Sequence, residues 1–232
     1  MQFIDGAVYF PESKVLAVAD LHLGYEAEMR QKGVQIPSGE FEVLFKRLSR
    51  ILAHAKPEIV IVNGDFKHSF GRISDSEWRY AKRTLELLAK NRQVVLVVGN
   101  HDPVLFPIAE KFGVTLTEEF LVDQTLFVHG DKLPVSTAAY ERIVIGHEHP
   151  AISISDGVRS ELVKCYLVGT WQKKQLVVLP SMFSLTEGTD VLSGKFLSPF
   201  LSDVSKFSVH ALVDSKALAF GTVHDVERLG KK

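Results

Sequence analysis

The sequence predicts an α/β protein in which two sheets pack face to face with helices outside. Three observations carry this. Apolar, mostly β-branched runs at residues 15–19, 59–62 and 94–98 have the length of strands covered on both faces. Two amphipathic helical patterns separate these runs. From residue 114 onward the pattern turns to short strands divided by polar breaks.

The first helical pattern places Phe41, Leu44, Phe45, Leu48, Ile51, Leu52 and Ala55 on one face, with Ser38 as its N-cap and Pro57 as its stop. The second is announced by Ser74-Asp75-Ser76-Glu77, a capping box, and carries Trp78, Ala81, Leu85 and Leu88 on its apolar stripe. Its charges, Arg79, Lys82, Arg83, Glu86 and Lys90, form a solvated face. Strands follow at 114–116, 120–122, 126–128, 142–145, 151–154, 161–168 and 176–179. Two more, at 207–213 and 217–223, are joined by Asp214-Ser215-Lys216. Residues 180–203, rich in Ser, Thr, Gly and Pro, read as a surface excursion. Their apolar residues offer either a homodimer contact or packing on the domain. With no internal repeat or linker, residues 1–232 are expected to form one domain.

Composition narrows the function classes. Of 232 residues, 46% are hydrophobic and 24% charged, as in ordinary globular proteins. A balance of 27 Lys and Arg against 28 Asp and Glu exerts no global pull toward nucleic acid or an anionic membrane. The single cysteine, Cys165, lies in an apolar run and excludes both an intramolecular disulfide and a thiolate-rich metal site. The first ten residues lack the basic start and apolar core of a secretory signal, and no apolar run is long enough to span a bilayer. A cytoplasmic protein without a membrane partner is expected.

Five polar signatures each follow an apolar run: Asp20-Leu21-His22, Gly64-Asp65, Gly99-Asn100-His101-Asp102, His129-Gly130-Asp131 and Gly146-His147-Glu148-His149. Ligands of α/β sheets collect beyond the carboxyl ends of strands, so five such ends can deliver side chains to one point. Asp20, His22, Asp65, Asn100, His129, His147 and His149 supply carboxylate, imidazole and amide oxygen. Mixed oxygen and nitrogen donors suit Mn, Fe, Zn, Co or Ni better than Ca or Mg. Seven donors exceed one tetrahedral ion and match two divalent ions sharing a bridge. His54, His210 and His224 lack neighbouring donor motifs; the first ends a helix and the others lie on late strands.

At these residues the sequence resembles the calcineurin-like metallophosphoesterase superfamily, whose motif order D-x-H, G-D, G-N-H-D, H, G-H-x-H is met in full. The resemblance implies a four-layer α/β/β/α sandwich of two mixed sheets flanked by helices. It implies that Asp20, His22 and His149 bind one metal, Asn100, His129 and His147 a second, and that Asp65 bridges them. Within the superfamily, residues 20–26 and the run Asp65-Phe66-Lys67-His68 resemble small SbcD-related phosphoesterases, including archaeal ones and those encoded beside DNA ligases and helicases. His68 matches a histidine that contributes to catalysis in that group.

The activity implied is hydrolysis of phosphodiesters in DNA, RNA or nucleotides, with manganese the expected metal. A phosphomonoesterase, a cyclic-nucleotide esterase and a non-catalytic metal-binding scaffold are the alternatives. His101, next to a metal ligand, is assigned transition-state stabilisation and proton donation to the leaving oxygen. Asp102 is expected to orient His101, or to cap a helix begun by Pro103. Lys67 and Arg72 are candidates for meeting a substrate phosphate. Tyr25 is read equally as a base-stacking or a packing residue.

Overall fold

The apolar runs become strands whose successive side chains enter different cores. The structure is a computed structural model describing residues 1–36, 39–155 and 159–229. One sheet contains β1 (Gln2–Ile4), β2 (Ala7–Phe10), β3 (Val15–Val18), β4 (Ile59–Asn63), β5 (Gln93–Val97) and β6 (Thr115–Thr117), hydrogen-bonded in that order. Strands β1 to β3 are antiparallel neighbours, and β3 to β6 run parallel. The second sheet holds β7 (Glu119–Val122), β8 (Thr125–Val128), β9 (Arg142–Ile145), β10 (Pro150–Ser155), β11 (Ser160–Trp171), β12 (Lys174–Val178), β13 (Thr189–Asp190), β14 (Ser208–Val213) and β15 (Lys216–Thr222). Its path is β13-β10-β11-β12-β9-β8-β7, with β14 on β11 and β15 on β14. Strands β8, β9 and β12 are parallel.

Helices α1 (Tyr25–Gln31), α2 (Glu40–Ala55), α3 (Asp75–Leu88), α4 (Phe106–Phe112) and α5 (Val223–Leu229) complete the architecture. Alternation along each strand explains the continuous apolar runs. Val60 and Val62 join the core under α2 and α3, with Phe41, Leu48 and Leu85, whereas Ile61 points between the sheets. Val144 and Val177 enter the same inter-sheet layer as Ile61, while Ile143, Ile145, Leu176 and Val178 face the outer core beneath residues 191–207 and α5. Two mixed sheets flanked by helices result, as the fold class requires. Among the described residues, no helix is long and apolar enough to cross a membrane.

Several local expectations change. Ser38 lies outside the described residues, and the N-cap of α2 is Gly39, in the left-handed region at φ 99°. The capping box of α3 forms, Ser74 and Glu77 bonding each other's backbone N–H groups. Pro103 does not start a helix: α4 begins three residues later, with Leu105 as N-cap and Pro107 in its first turn. His224 stands on α5 rather than on a strand. Residues 180–203 are a surface excursion only in part: residues 193–195 and 197 are exposed, but much of the segment is not. Met182, Phe183, Val191, Phe200 and Leu201 are buried in the chain's own cores, whereas Leu197 is 67% exposed. The N-terminal hairpin β1–β2, with its turn at Asp5-Gly6, is too short to show a clear alternation.

Candidate metal centre

All five polar signatures leave the carboxyl ends of parallel strands: β3, β4 and β5 in one sheet, β8 and β9 in the other. Backbone bonds stitch the emerging loops together. Asp20 N donates to Gly64 O at 3.1 Å, His22 N to Asp65 O at 2.9 Å, and Gly146 N to His129 O at 2.8 Å. Beneath them Asn63, fully buried, donates its amide to Val128 O at 2.9 Å and Val144 O at 3.1 Å, strapping one sheet to the other. Side chains from distant stretches of sequence therefore arrive on a common rigid base.

The backbone of these loops is strained where donors sit. Asp20, His22, Asp65, His147 and His149 have φ of 56°, 45°, 47°, 62° and 50°, a region that non-glycine residues seldom occupy. Such conformations persist when surrounding structure over-determines them, and they concentrate at functional sites. The glycines serve a different need, that of close approach. A Cβ on Gly99 would stand 2.3 Å from both the N and the Oδ1 of Asp65, and one on Gly64 1.9 Å from His129 Nδ1.

All seven donors lie at or near mutual ligand distance in the following contacts. Asp20, His22 and His149 converge, with His22 Nε2 3.4 Å from His149 Nε2 and His149 Nε2 3.5 Å from Asp20 Oδ2. Asn100 Oδ1 lies 2.9 Å from His129 Nε2, which in turn is 3.2 Å from His147 Nδ1, bringing the seventh donor to the same group. Asp65 faces both groups: its Oδ2 is 3.8 Å from His22 Nε2 and its Oδ1 3.5 Å from His129 Nε2. Asp20, His22, Asp65 and His129 are buried, whereas Asn100 is exposed at the mouth of a cavity of about 400 Å³.

The electrostatics call for cations. Burial and the adjacent Asp20 carboxylate push the Asp65 carboxyl up to about 9. Burial acts the same way on Asp20, but His149, His129 and His22 outweigh it and hold that carboxyl below its ordinary value. Burial lowers His22 well below the usual imidazole range and lowers His147 to about 4. Neutral imidazoles beside two buried carboxylates are the form in which these groups ligate metal, and an inserted cation relieves the carboxylate repulsion. The donor set thus fits divalent ions.

A family model for calcineurin-like phosphoesterases matches residues 13–167, a span that contains all five signatures. The chain belongs to the calcineurin-like phosphoesterase family. It is a metal-dependent hydrolase of phosphate esters. Its fold superposes on that of nuclease MPE from Pseudomonas putida with a TM-score of 0.68, at 22% identity over 93% of each chain. Yfce, a phosphoesterase from E. coli, has 15% identity over 86% of this chain and 88% of its own, with a TM-score of 0.43. No curated protein matches the sequence.

Around the donors, this phosphoesterase arranges residues whose roles differ from those read in the sequence. His101 Nδ1 lies 2.6 Å from the His68 carbonyl oxygen. A carbonyl only accepts, so Nδ1 carries the hydrogen and Nε2 is left for chemistry. Among the described residues, Asp102 makes no hydrogen bond to this ring. Its buried carboxylate accepts the backbone N–H groups of Phe66 at 3.1 Å, Lys67 at 3.2 Å and Gly99 at 3.1 Å, pinning two of the signature loops together. Nor is Lys67 free for a phosphate: it is fully buried and donates to the His101 carbonyl at 2.9 Å and to that of Ser69. His68 does stand among the donors, with Nδ1 3.5 Å from His22 Nδ1 and Nε2 3.9 Å from Glu28 Oε2. Tyr25 packs between His68 and Phe183, with ring centroids 4.6 and 4.8 Å away. Arg72 is exposed and lines a separate groove.

Four further polar residues, three buried and Lys164 half-buried, escape sequence reasoning. Asn63 is one. Ser181 Oγ donates to the Asp20 carbonyl at 3.0 Å, and Lys164 donates to the carbonyls of Ser181 and Phe183. Glu148, between two donor histidines, accepts the N–H groups of Leu197 at 2.8 Å and Ser198 at 2.9 Å. Only the polar end of an otherwise apolar strand, at Asn63, could have drawn attention in sequence.

Proposed function

We propose that the chain is a phosphodiesterase acting on nucleic acids or nucleotides with two divalent ions, manganese being the expected metal. The observation that carries this reading is the position of Asp65, whose two carboxylate oxygens face different donor groups. Asp20, His22, His149 and Asp65 would hold one ion, and Asn100, His129, His147 and again Asp65 would hold the other. Bound there, such ions polarise phosphoryl oxygens and lower the pKa of water. The protein's own part is to orient and to move a proton. The strained loops hold the donors in place before substrate arrives. His101, with Nδ1 committed to the His68 carbonyl, presents Nε2 to the phosphate, stabilises its developing charge and donates a proton to the leaving oxygen. His68 supports the same charge from beside His22. Asp102 takes a positioning role in place of a catalytic one.

The test is an activity matrix of metals against bis-p-nitrophenyl phosphate, p-nitrophenyl phosphate and an oligonucleotide. Turnover of the diesters, highest with manganese, is expected. Turnover confined to the monoester would replace this reading with a phosphomonoesterase. In the same matrix His101→Ala should retain both metals by elemental analysis yet lose about 10²- to 10⁴-fold in kcat. Metal loss in that variant would make His101 a ligand.

A further inference from the structure

We propose that Phe70 forms a nucleobase-stacking subsite beside the metal centre, so that an aromatic base next to the scissile phosphate contributes to substrate selection. This rests on the phosphodiesterase reading above and adds a binding residue to it.

Phe70 is 58% exposed, and its ring centroid lies 3.9 Å from that of His101 at an angle of 34°. His101 also stacks on His68, at 5.1 Å and 25°. One imidazole of the cavity wall thus carries an apolar ring directed toward solvent. The loop bearing Phe70 is firmly held. Ser69 donates through N to Glu77 Oε1 at 3.0 Å and through Oγ to Glu28 Oε2 at 2.9 Å. Lys67 ties the same loop to the His101 carbonyl. A tethered loop that leaves a phenyl ring in water beside a proton-donating imidazole has the form of a platform, because every base has a π-face to lay on it.

Further along the same loop, Arg72 and Ile73 line a separate groove of about 1010 Å³ together with Val104 and, from α4, Pro107. Trp78 and Arg79 line the same groove. Arg72 and Arg79 offer guanidinium groups suited to the next phosphate of a chain. Phenylalanine has no polar edge, so the subsite distinguishes base from no base and reads little of its identity.

The experiment is a cycle of Phe70 variants against base removal. Manganese-loaded protein is given tetrathymidylate and versions with an abasic residue on either side of a chosen phosphate, and kcat/KM is measured at that bond. In wild type and Phe70→Trp, base removal on one side should lower kcat/KM by about 5- to 150-fold, the range of a base–aromatic stack. In Phe70→Ala and Phe70→Leu it should have no effect. A penalty that persists in Phe70→Ala overturns the proposal. So does full recovery by Phe70→Leu, which would make the ring a mere apolar cover for His101. If bis-p-nitrophenyl phosphate is cleaved and tetrathymidylate is not, the nucleic-acid reading itself fails. If both are cleaved with no penalty for base removal, only the subsite fails.

Discussion

Replacing Asp102 by Asn separates a loop-pinning carboxylate from one that orients an imidazole. Oδ2 accepts the N–H groups of Phe66 and Gly99, and Oδ1 that of Lys67. An asparagine keeps one oxygen, best used where two donors converge. Its NH₂ then faces the Lys67 N–H, and a buried donor is orphaned at a cost of about 1–3 kcal/mol. For a chain of this size each kcal/mol lowers Tm by about 2–4 °C, so a fall of about 2–12 °C is expected. Asp102→Ala orphans all three donors and should fall further. His101 keeps its tautomer in both variants, because its Nδ1 partner is the His68 carbonyl. The assay pairs thermal unfolding with the pH profile of kcat. Lower Tm with an unmoved profile supports the pin. An unchanged Tm with a kcat loss of about 10⁴-fold would be the signature of a carboxylate that sets a tautomer, and would refute it.

Three other perturbations test the frame around the donors. Gly99→Ala puts a Cβ 2.3 Å from the backbone N of Asp65 without any positive-φ penalty, so metal affinity should fall about 10- to 100-fold in a competition titration; undiminished affinity would show that the close approach is dispensable. Lys67→Met removes the tie between two loops and should lower Tm while leaving the salt dependence of KM alone. A weaker salt dependence at constant Tm would instead return Lys67 to the phosphate. Burial, then Arg47, pushes the Lys164 ammonium down to about 7 from 10.5, so across that window the unfolded chain holds a proton that the folded protein lacks. Stability in urea should therefore rise with pH between those values, by at most about 1.4 kcal/mol per pH unit, and Lys164→Met should flatten the rise. A slope identical in both proteins would contradict the assignment.

The fold and the convergence of the candidate donors were legible because each rests on a local pattern. Strands buried on both faces are written as unbroken apolar runs, and 59–62 and 94–98 could not be anything exposed. The capping box at Ser74 is a four-residue signal with a short-range cause, and it forms. The donors were readable because motif and strand end coincide five times. What could not be read depends on the third dimension. Asp102 has an aspartate's usual N-capping chemistry in sequence, yet its carboxylate reaches the backbone of residues 35 and 36 positions earlier. Lys67 is charged and follows a site residue, which suggests substrate contact until its burial is seen. Residues 180–203 have a loop's composition, but their scattered apolar side chains cover cores contributed by other segments.

The residues missed share one property: their partners are mostly backbone. Asn63, Ser181, Lys164 and Glu148, like Asp102 in its different role, bond carbonyl or N–H groups, which bear no sequence signature, and all but Lys164 act within a few residues of a donor. This follows from the strain at the donors. Five left-handed, non-glycine residues would relax to ordinary conformations if their loops were held only by side-chain packing, since apolar contact is non-directional. Hydrogen bonds to the backbone are directional, and burial makes leaving them unmade costly. The strain and the buried polar frame therefore belong together. Weakening one strap should loosen donor geometry before it unfolds the sheets, because Asn63, Ser181 and Asp102 anchor loops that leave strands already secured by the cores on either side.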